Sequence, residues 1–467
     1  MIPTRRDFLA GGFGGLALAH LRATAEAPRP ASDLDLNGGL HHRAKVERVI
    51  QVFLNGGVSQ MDTFDFKPEL ERRHGQTVDV GLKATATGVP GPLMKSPFRW
   101  KQHGQSGRWV TDVLPHIARR VDDMAFLMAM SSKSNVHGPA AYLQTTGFLT
   151  PGFPCAGAWV GYALGRLTDN LPTFVVLPDP RGLPYNGSGN FSAGFLPVSH
   201  QGTVIDPMAA SPIPDLAASP IGRFVTPSAS DEGLKLLNAM NGRYANDRPG
   251  DTRLTGRVES YELAARMQLA APEVFDLTRE SQKIHDSYGT SAPAHEGGFA
   301  RNCLLARRMV ERGVRFVQVW SGMGGPAHNW DNHVNIGKEL PPAARQVDRP
   351  VAALLSDLKA RGLFEDTLLI FTTEFGRMPF SAGLGRDHNG GTFVTWMAGA
   401  GIRGGAAHGE SDEFSYLAAK GKTTCYDLHA TILHLMGIDH ERLTVRQNGI
   451  DRRLTDVHGE VVEAILA

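Results

Sequence analysis

A chain of 467 residues, 42% hydrophobic and 20% charged, has the make-up of an ordinary folded protein and is long enough for a large core. Its 48 basic and 47 acidic side chains leave a formal charge of +1, which argues against a nucleic-acid-binding stripe or a polybasic membrane patch. Cys155, Cys303 and Cys425 are far apart and form no C-x-x-C, which argues against a Cys-based zinc knuckle or a redox pair, and buried thiols are expected.

In chain order, Thr4-Arg5-Arg6-Asp7-Phe8-Leu9 matches the twin-arginine export pattern. A Gly-rich apolar run and Ala23-Thr24-Ala25 follow, so residues 1–25 read as a signal peptide and the protein as periplasmic or secreted, exported folded. No later run is apolar for long enough to span a bilayer. After an irregular lead-in to residue 43, residues 45–54 are β-branched and apolar and predict a buried strand. Helices are predicted at 115–121, 138–146 and 156–164, and strands at 124–130 and 173–177. From 178 to 231, Pro, Gly and Ser are dense, which predicts a long loop or cap over a pocket mouth. Amphipathic helices are expected at 234–244, 253–269, 299–312 and 343–361, the last kinked near Pro350. Further strands are expected at 314–320, 368–373 and 392–397. Helices at 427–436, with Asp427 at or near its N-cap, and at 457–466 close the chain. Strands alternating with helices predict an α/β fold with a mostly parallel central sheet and helices on both faces. Residues 44–467 are expected to form a single domain carrying the insertion.

The ligand-type side chains fall just past the ends of these strands, where a parallel sheet gathers its loops along one edge. Asn55-Gly56-Gly57 and Asp62 follow the first strand. His328, Asp331 and His333 follow the strand at 314–320; alternatively these belong to a solvated polar loop. Glu374 ends the strand at 368–373, as a metal ligand or as the ion-pair partner of Arg377. Arg377 has the planar fork that suits a sulfate, phosphate or carboxylate. Arg386-Asp387-His388-Asn389-Gly390-Gly391 reads as a flexible loop with His388 as ligand. Asp387 and His328 are candidate partners behind the ligands. His137, at a helix start, is a general acid or base, a ligand or a nucleophile, against the plainer reading of a surface histidine. Carboxylates with imidazoles suit a divalent metal such as zinc, manganese or calcium.

Several segments carry a resemblance. They are Val52-Phe-Leu-Asn-Gly-Gly-Val-Ser-Gln-Met-Asp-Thr-Phe-Asp65, Trp330-Asp-Asn-His333, Glu374-Phe-Gly-Arg377, Gly385-Arg-Asp-His388 and Leu454-Thr-Asp-Val-His-Gly-Glu460. Through them the mature chain resembles an exported bacterial family, domain of unknown function 1501, placed in the alkaline phosphatase/sulfatase-like superfamily. Asp427-Leu-His-Ala-Thr-Ile-Leu-His-Leu-Met-Gly437 is similar to the sulfatase helix D-x-x-P-T-x-L-x-L-x-G. Thr145-Thr146-Gly147 resembles the end of the sulfatase nucleophile helix, and that register puts His137 in the nucleophile's place and Pro139 on the Pro of C-x-P-S-R. The departures are specific. His137 and Ala141 replace the sulfatase Cys and Arg, which excludes formylglycine chemistry, and Asn55 stands where the first metal aspartate would be. The resemblance aligns Asp331 and His333 with the superfamily's later ligand pair, Glu374 with a strand-ending ligand Asp, and His388 with its last histidine. It implies a metal-dependent hydrolase of sulfate or phosphate esters, acting on a small anionic molecule or a polysaccharide. The other reading is a non-catalytic periplasmic member that binds a protein partner.

Overall fold

The computed structural model describes residues 40–81, 89–206 and 273–467, with isolated positions between 232 and 258. The export signal at 1–25, residues 207–231 of the expected cap, much of the expected helix at 253–269 and part of that at 234–244 lie outside the described residues.

Among the described residues the strands used below are β1 (Arg48–Leu54), β2 (Met124–Ser131), β3 (Phe174–Leu177), β4 (Thr203–Val204), β5 (Phe316–Ser321), β6 (Thr367–Thr372), β7 (Gly376–Ala382), β8 (Gly385–Asn389), β9 (Phe393–Gly399), β10 (Ala407–His408) and β11 (Thr423–Thr424). Nine of them make the central sheet, in the order β10-β2-β9-β6-β1-β5-β3-β4, with β11 beside β2. β1 pairs in parallel with β5 and β6, and β5 in parallel with β3. β9 is antiparallel to both β2 and β6, so every other strand runs one way. The mostly parallel sheet is therefore as expected. β7 and β8 form a separate hairpin.

A parallel strand covered on both faces needs apolar side chains pointing both ways. β1 supplies them: Ile50, Val52 and Leu54 enter one core and Val49 and Phe53 the other. Burying each large apolar side chain contributes roughly 1.5–3 kcal/mol, so the centre of the sheet is also its most rigid part. The helices α1 (His137–Thr146), α2 (Ala156–Leu164), α3 (Ala294–Glu311), α4 (Ile336–Ala360) and α5 (Cys425–Leu435) cover it. α3 and α4 pack residues such as Leu304 and Leu354 into the first core, and α2 and α5 pack residues such as Trp159 and Leu428 into the second.

Three expectations change. α4 starts seven residues before the predicted 343 and continues past Pro341, Pro342 and Pro350. Glu339 stabilises its start by accepting from the N–H groups of Val334 and Asn335. α5 begins at Cys425 because Thr424 is the N-cap, and Asp427 completes a capping box three residues in. The predicted helix at 457–466 is only a short turn at Glu463–Ile465. Its chain is held extended over α5, where Glu460 N–H donates to Asp427 Oδ1 and Val462 N–H to Thr431 Oγ1.

Candidate metal centre

The carboxyl ends of β1, β2, β5 and β6 and the hairpin before β9 meet at one edge of the sheet. Gly56 just past β1 has φ +124°, and a Cβ there would lie 2.6 Å from Trp330 N and 2.7 Å from Asp331 N. Only glycine lets the Asp331 loop close onto the strand end. The loop is fixed by Trp330 N–H donating to Asn55 O (3.0 Å) and by the buried Trp330 indole donating to Ser321 Oγ (3.0 Å).

Glu374 follows β6 and is fully buried. Its Oε1 accepts from Gly56 N–H (2.8 Å) and lies 2.7 Å from His137 Nδ1; its Oε2 accepts from Thr373 Oγ1 (3.0 Å). A carboxylate there places the His137 proton on Nδ1 and leaves Nε2 facing the site. His137 opens α1. Pro139 falls in the first turn, where no N–H has a helical partner. The ring stacks on Tyr185 with centroids 4.5 Å apart and packs on Phe375 at 4.8 Å. His137 Nε2 is 3.3 Å from Asp331 Oδ2, within ion-pair range but without hydrogen-bond alignment.

Asp331 Oδ1 is the hub. It lies 2.6 Å from Arg377 Nη2, 2.9 Å from His333 Nε2 and 3.1 Å from His388 Nε2, and the two imidazole nitrogens are 2.7 Å apart. Two ring nitrogens so close cannot both carry protons. His388 is aimed by its Nδ1, 2.8 Å from Asn135 O. Burial would raise the Asp331 pKa, but the nearby His137, His333 and His388 rings and the charge of Arg377 hold it well below the usual carboxylate range. Burial would lower the His137 pKa, yet Asp331 and Glu374 outweigh it and raise it. His388 goes the other way: burial lowers it, and Asp331 only partly offsets this against Arg377 and His137.

The donor set fits a divalent ion. Ligand atoms of His137, Asp331 and His388 all lie within 4.8 Å of one another, as do those of His333, Asp387 and His388. Ligands of a tetrahedral ion at 2.0–2.1 Å stand roughly 3.3 Å apart, close to the spacing around Asp331 Oδ1. Within the cluster, the buried His137 Nε2 has no hydrogen-bond partner. An orphaned buried polar atom is costly, and a cation nearby would offset it.

Asp331, His333, Glu374, His388 and His137 are thus brought together, and Asn55 borders them. Other expectations are corrected. Arg377 is not poised to clamp an anion. It is fully buried, with Nε donating to Gly57 O (2.7 Å), Nη1 to Arg386 O (3.1 Å), and Nη2 to Gly56 O and Asp331. Its fork knits the loops and balances Asp331. Asp62 lies in a buried pair with Arg386, at 2.6 and 3.2 Å, and also accepts from Ser59 Oγ. His328 is exposed in a left-handed turn (φ +61°) and does not back the ligands. Asp387 accepts from His388 N–H (2.6 Å), and its carboxylate lies with the His333 and His388 ring nitrogens in the second donor group. Tyr185 went unforeseen: nothing in Pro184-Tyr185-Asn186 signals that it would lie on His137.

No curated protein matches the chain. Among solved structures it is similar to the PsFucS1 sulfatase from Pseudoalteromonas sp., at 13% identity, covering 94% of this chain and 73% of that one, with a TM-score of 0.38. It is also similar to the lipoteichoic acid synthase LtaP from Listeria monocytogenes, at 9% identity, covering 91% and 80%, with a TM-score of 0.37. The alkaline phosphatase from the Antarctic bacterium TAB5 is 10% identical, covering 84% and 98%, with a TM-score of 0.33. The family model described as "Protein of unknown function (DUF1501)" matches residues 46–466, and the chain belongs to that family.

Proposed function

We propose that the chain is an exported metal-dependent hydrolase of sulfate or phosphate esters, including esters on a polysaccharide. The reading is carried by the convergence of His137, Asp331 and His388 at one sheet edge, with His333 against His388. Asp331, His333 and His388 would hold the ion, with Asn55 as a neutral neighbour, and an imidazole-rich set favours zinc or manganese over calcium. A bound ion there would polarise the ester oxygens and stabilise the leaving group. His137 supplies the proton work. Glu374 fixes its tautomer, Tyr185 and Phe375 hold its ring, and Nε2 faces the reacting side. Residues 44–467 act as one domain with the insertion around 178–231 as its cap, a reading supported by Tyr185, in the described part of that insertion, stacking on His137. Export rests on the Arg5-Arg6 pattern. No helix of the described residues is long and apolar enough to cross a membrane.

The test is a panel of sulfate and phosphate esters offered to the metal-loaded wild type and to His137→Ala. Removing the proton carrier should lower turnover by about 10²–10⁴-fold while circular dichroism stays native. One observation favours a second reading, a non-catalytic periplasmic binding protein: Asp331 Oδ1 is already shared by Arg377, His333 and His388. Unchanged behaviour of His137→Ala, with no ester turned over by the wild type, would decide for that reading.

A further inference from the structure

A second polar cleft, of about 400 Å³, shares no residue with the His137 cluster; its walls include Asp65, Lys67, Arg108, Glu410 and Lys420. Its charges do not balance. Asp65 is nearly fully buried and committed: Oδ2 accepts from the hydroxyls of Ser411 and Ser415, and Oδ1 lies 3.2 Å from Lys67 Nζ. Lys67 Nζ also donates to Ser411 O (3.3 Å), so the ammonium is held in one place. Glu410 and Lys420 pair with each other at 2.8 Å. Arg108 is left over. It comes from a small hairpin, Trp100–His103 with Arg108–Thr111, and has no acidic partner among the described residues. Its Nε is buried with nothing to donate to, and burial alone pushes its pKa down with no carboxylate to offset it.

A half-buried guanidinium without a counter-charge, facing an open cleft beside a fixed ammonium, is an oxyanion receptor. We propose that this cleft is a second, non-catalytic site in which Arg108 and Lys67 hold a sulfate, phosphate or carboxylate group. The source is either a free ion or a group on an anionic polymer. The proposal does not depend on the hydrolase reading, because no residue is shared.

The experiment is isothermal titration of the full chain with inorganic sulfate and, separately, with a sulfated dextran oligomer. Wild type, Arg108→Gln and Arg108→Lys are compared, with Lys67→Met as a second probe should Arg108→Gln fold poorly. Arg108→Gln should weaken sulfate binding roughly ten- to hundredfold, Arg108→Lys should keep part of it, and ester hydrolysis should not change. Binding of the free ion points to a small-ion ligand, and binding of the oligomer alone to a polymer. Superimposable isotherms for wild type and Arg108→Gln, or no binding of either probe by the wild type, overturn the proposal.

Discussion

Asp62 and Asp331 are both acids after strands, yet the structure gives them different work. Asp62 faces Arg386, and both are fully buried. Asp62→Asn should leave an uncompensated buried cation and cost on the order of 3–5 kcal/mol in urea unfolding, with metal content unchanged. Metal loss without destabilisation would return Asp62 to the ligand set. A second residue-scale outcome concerns acid. His429 is fully buried on α5, its Nε2 3.1 Å from Gln144 O, and burial lowers its pKa from 6.5 to about 4. Between those values the unfolded chain takes up the proton and the folded chain does not. The stability is whole above pH 6.5, is lost as pH falls towards 4, and amounts to on the order of 3 kcal/mol. His429→Gln should flatten that part of the stability–pH curve; an unchanged slope would show that other groups dominate. Residue type and position after a strand brought out Asp331, His333, Glu374 and His388. They did not separate Asp62, whose partner is 324 positions away in the chain. Arg377 was misread for a related reason: a surface fork and a buried one have the same sequence, and only the carbonyls around it tell them apart.

At the scale of elements, the hairpin of β7 and β8 carries the site's last histidine. Gly385 makes its close approach possible: a Cβ there would lie 1.9 Å from His333 O. Backbone cannot yield as a flexible side chain can, so Gly385→Ala should push the hairpin outward and part His388 from His333. Metal content and unfolding midpoint should fall together. A variant that keeps both would mean that the hairpin is not the element that positions His388. Strands such as β1, stopped by Gly56-Gly57, and β6 were legible because buried parallel strands are continuous apolar runs. The hairpin read as a loop because Pro379, Gly383, Gly385 and Gly390-Gly391 interrupt any alternation, and its pairing depends on contacts outside the window. The same limit applies at the C-terminus, where the predicted helix gives way to a chain tied to Asp427 and Thr431.

Over the whole molecule, the direction of the strands does the gathering. All the sheet strands but β9 run one way, so loops from residues 55, 137, 331 and 374 open on the same edge, and the hairpin before β9 delivers 388 to it. That these loops could meet was readable from their position just past the ends of strands in a parallel sheet. The packing of Tyr185 over His137 was not, because it depends on how the segment after β3 folds back. The account stands on this edge being a cation site rather than a closed polar cluster. The most direct measurement is elemental analysis of the purified full chain, expressed in metal-replete medium, beside an Asp331→Asn/His388→Ala double variant. The account predicts at least one divalent ion per wild-type chain, lost from the double variant while its fold persists. A wild type free of metal after metal loading, or a double variant that holds as much as the wild type, would contradict it.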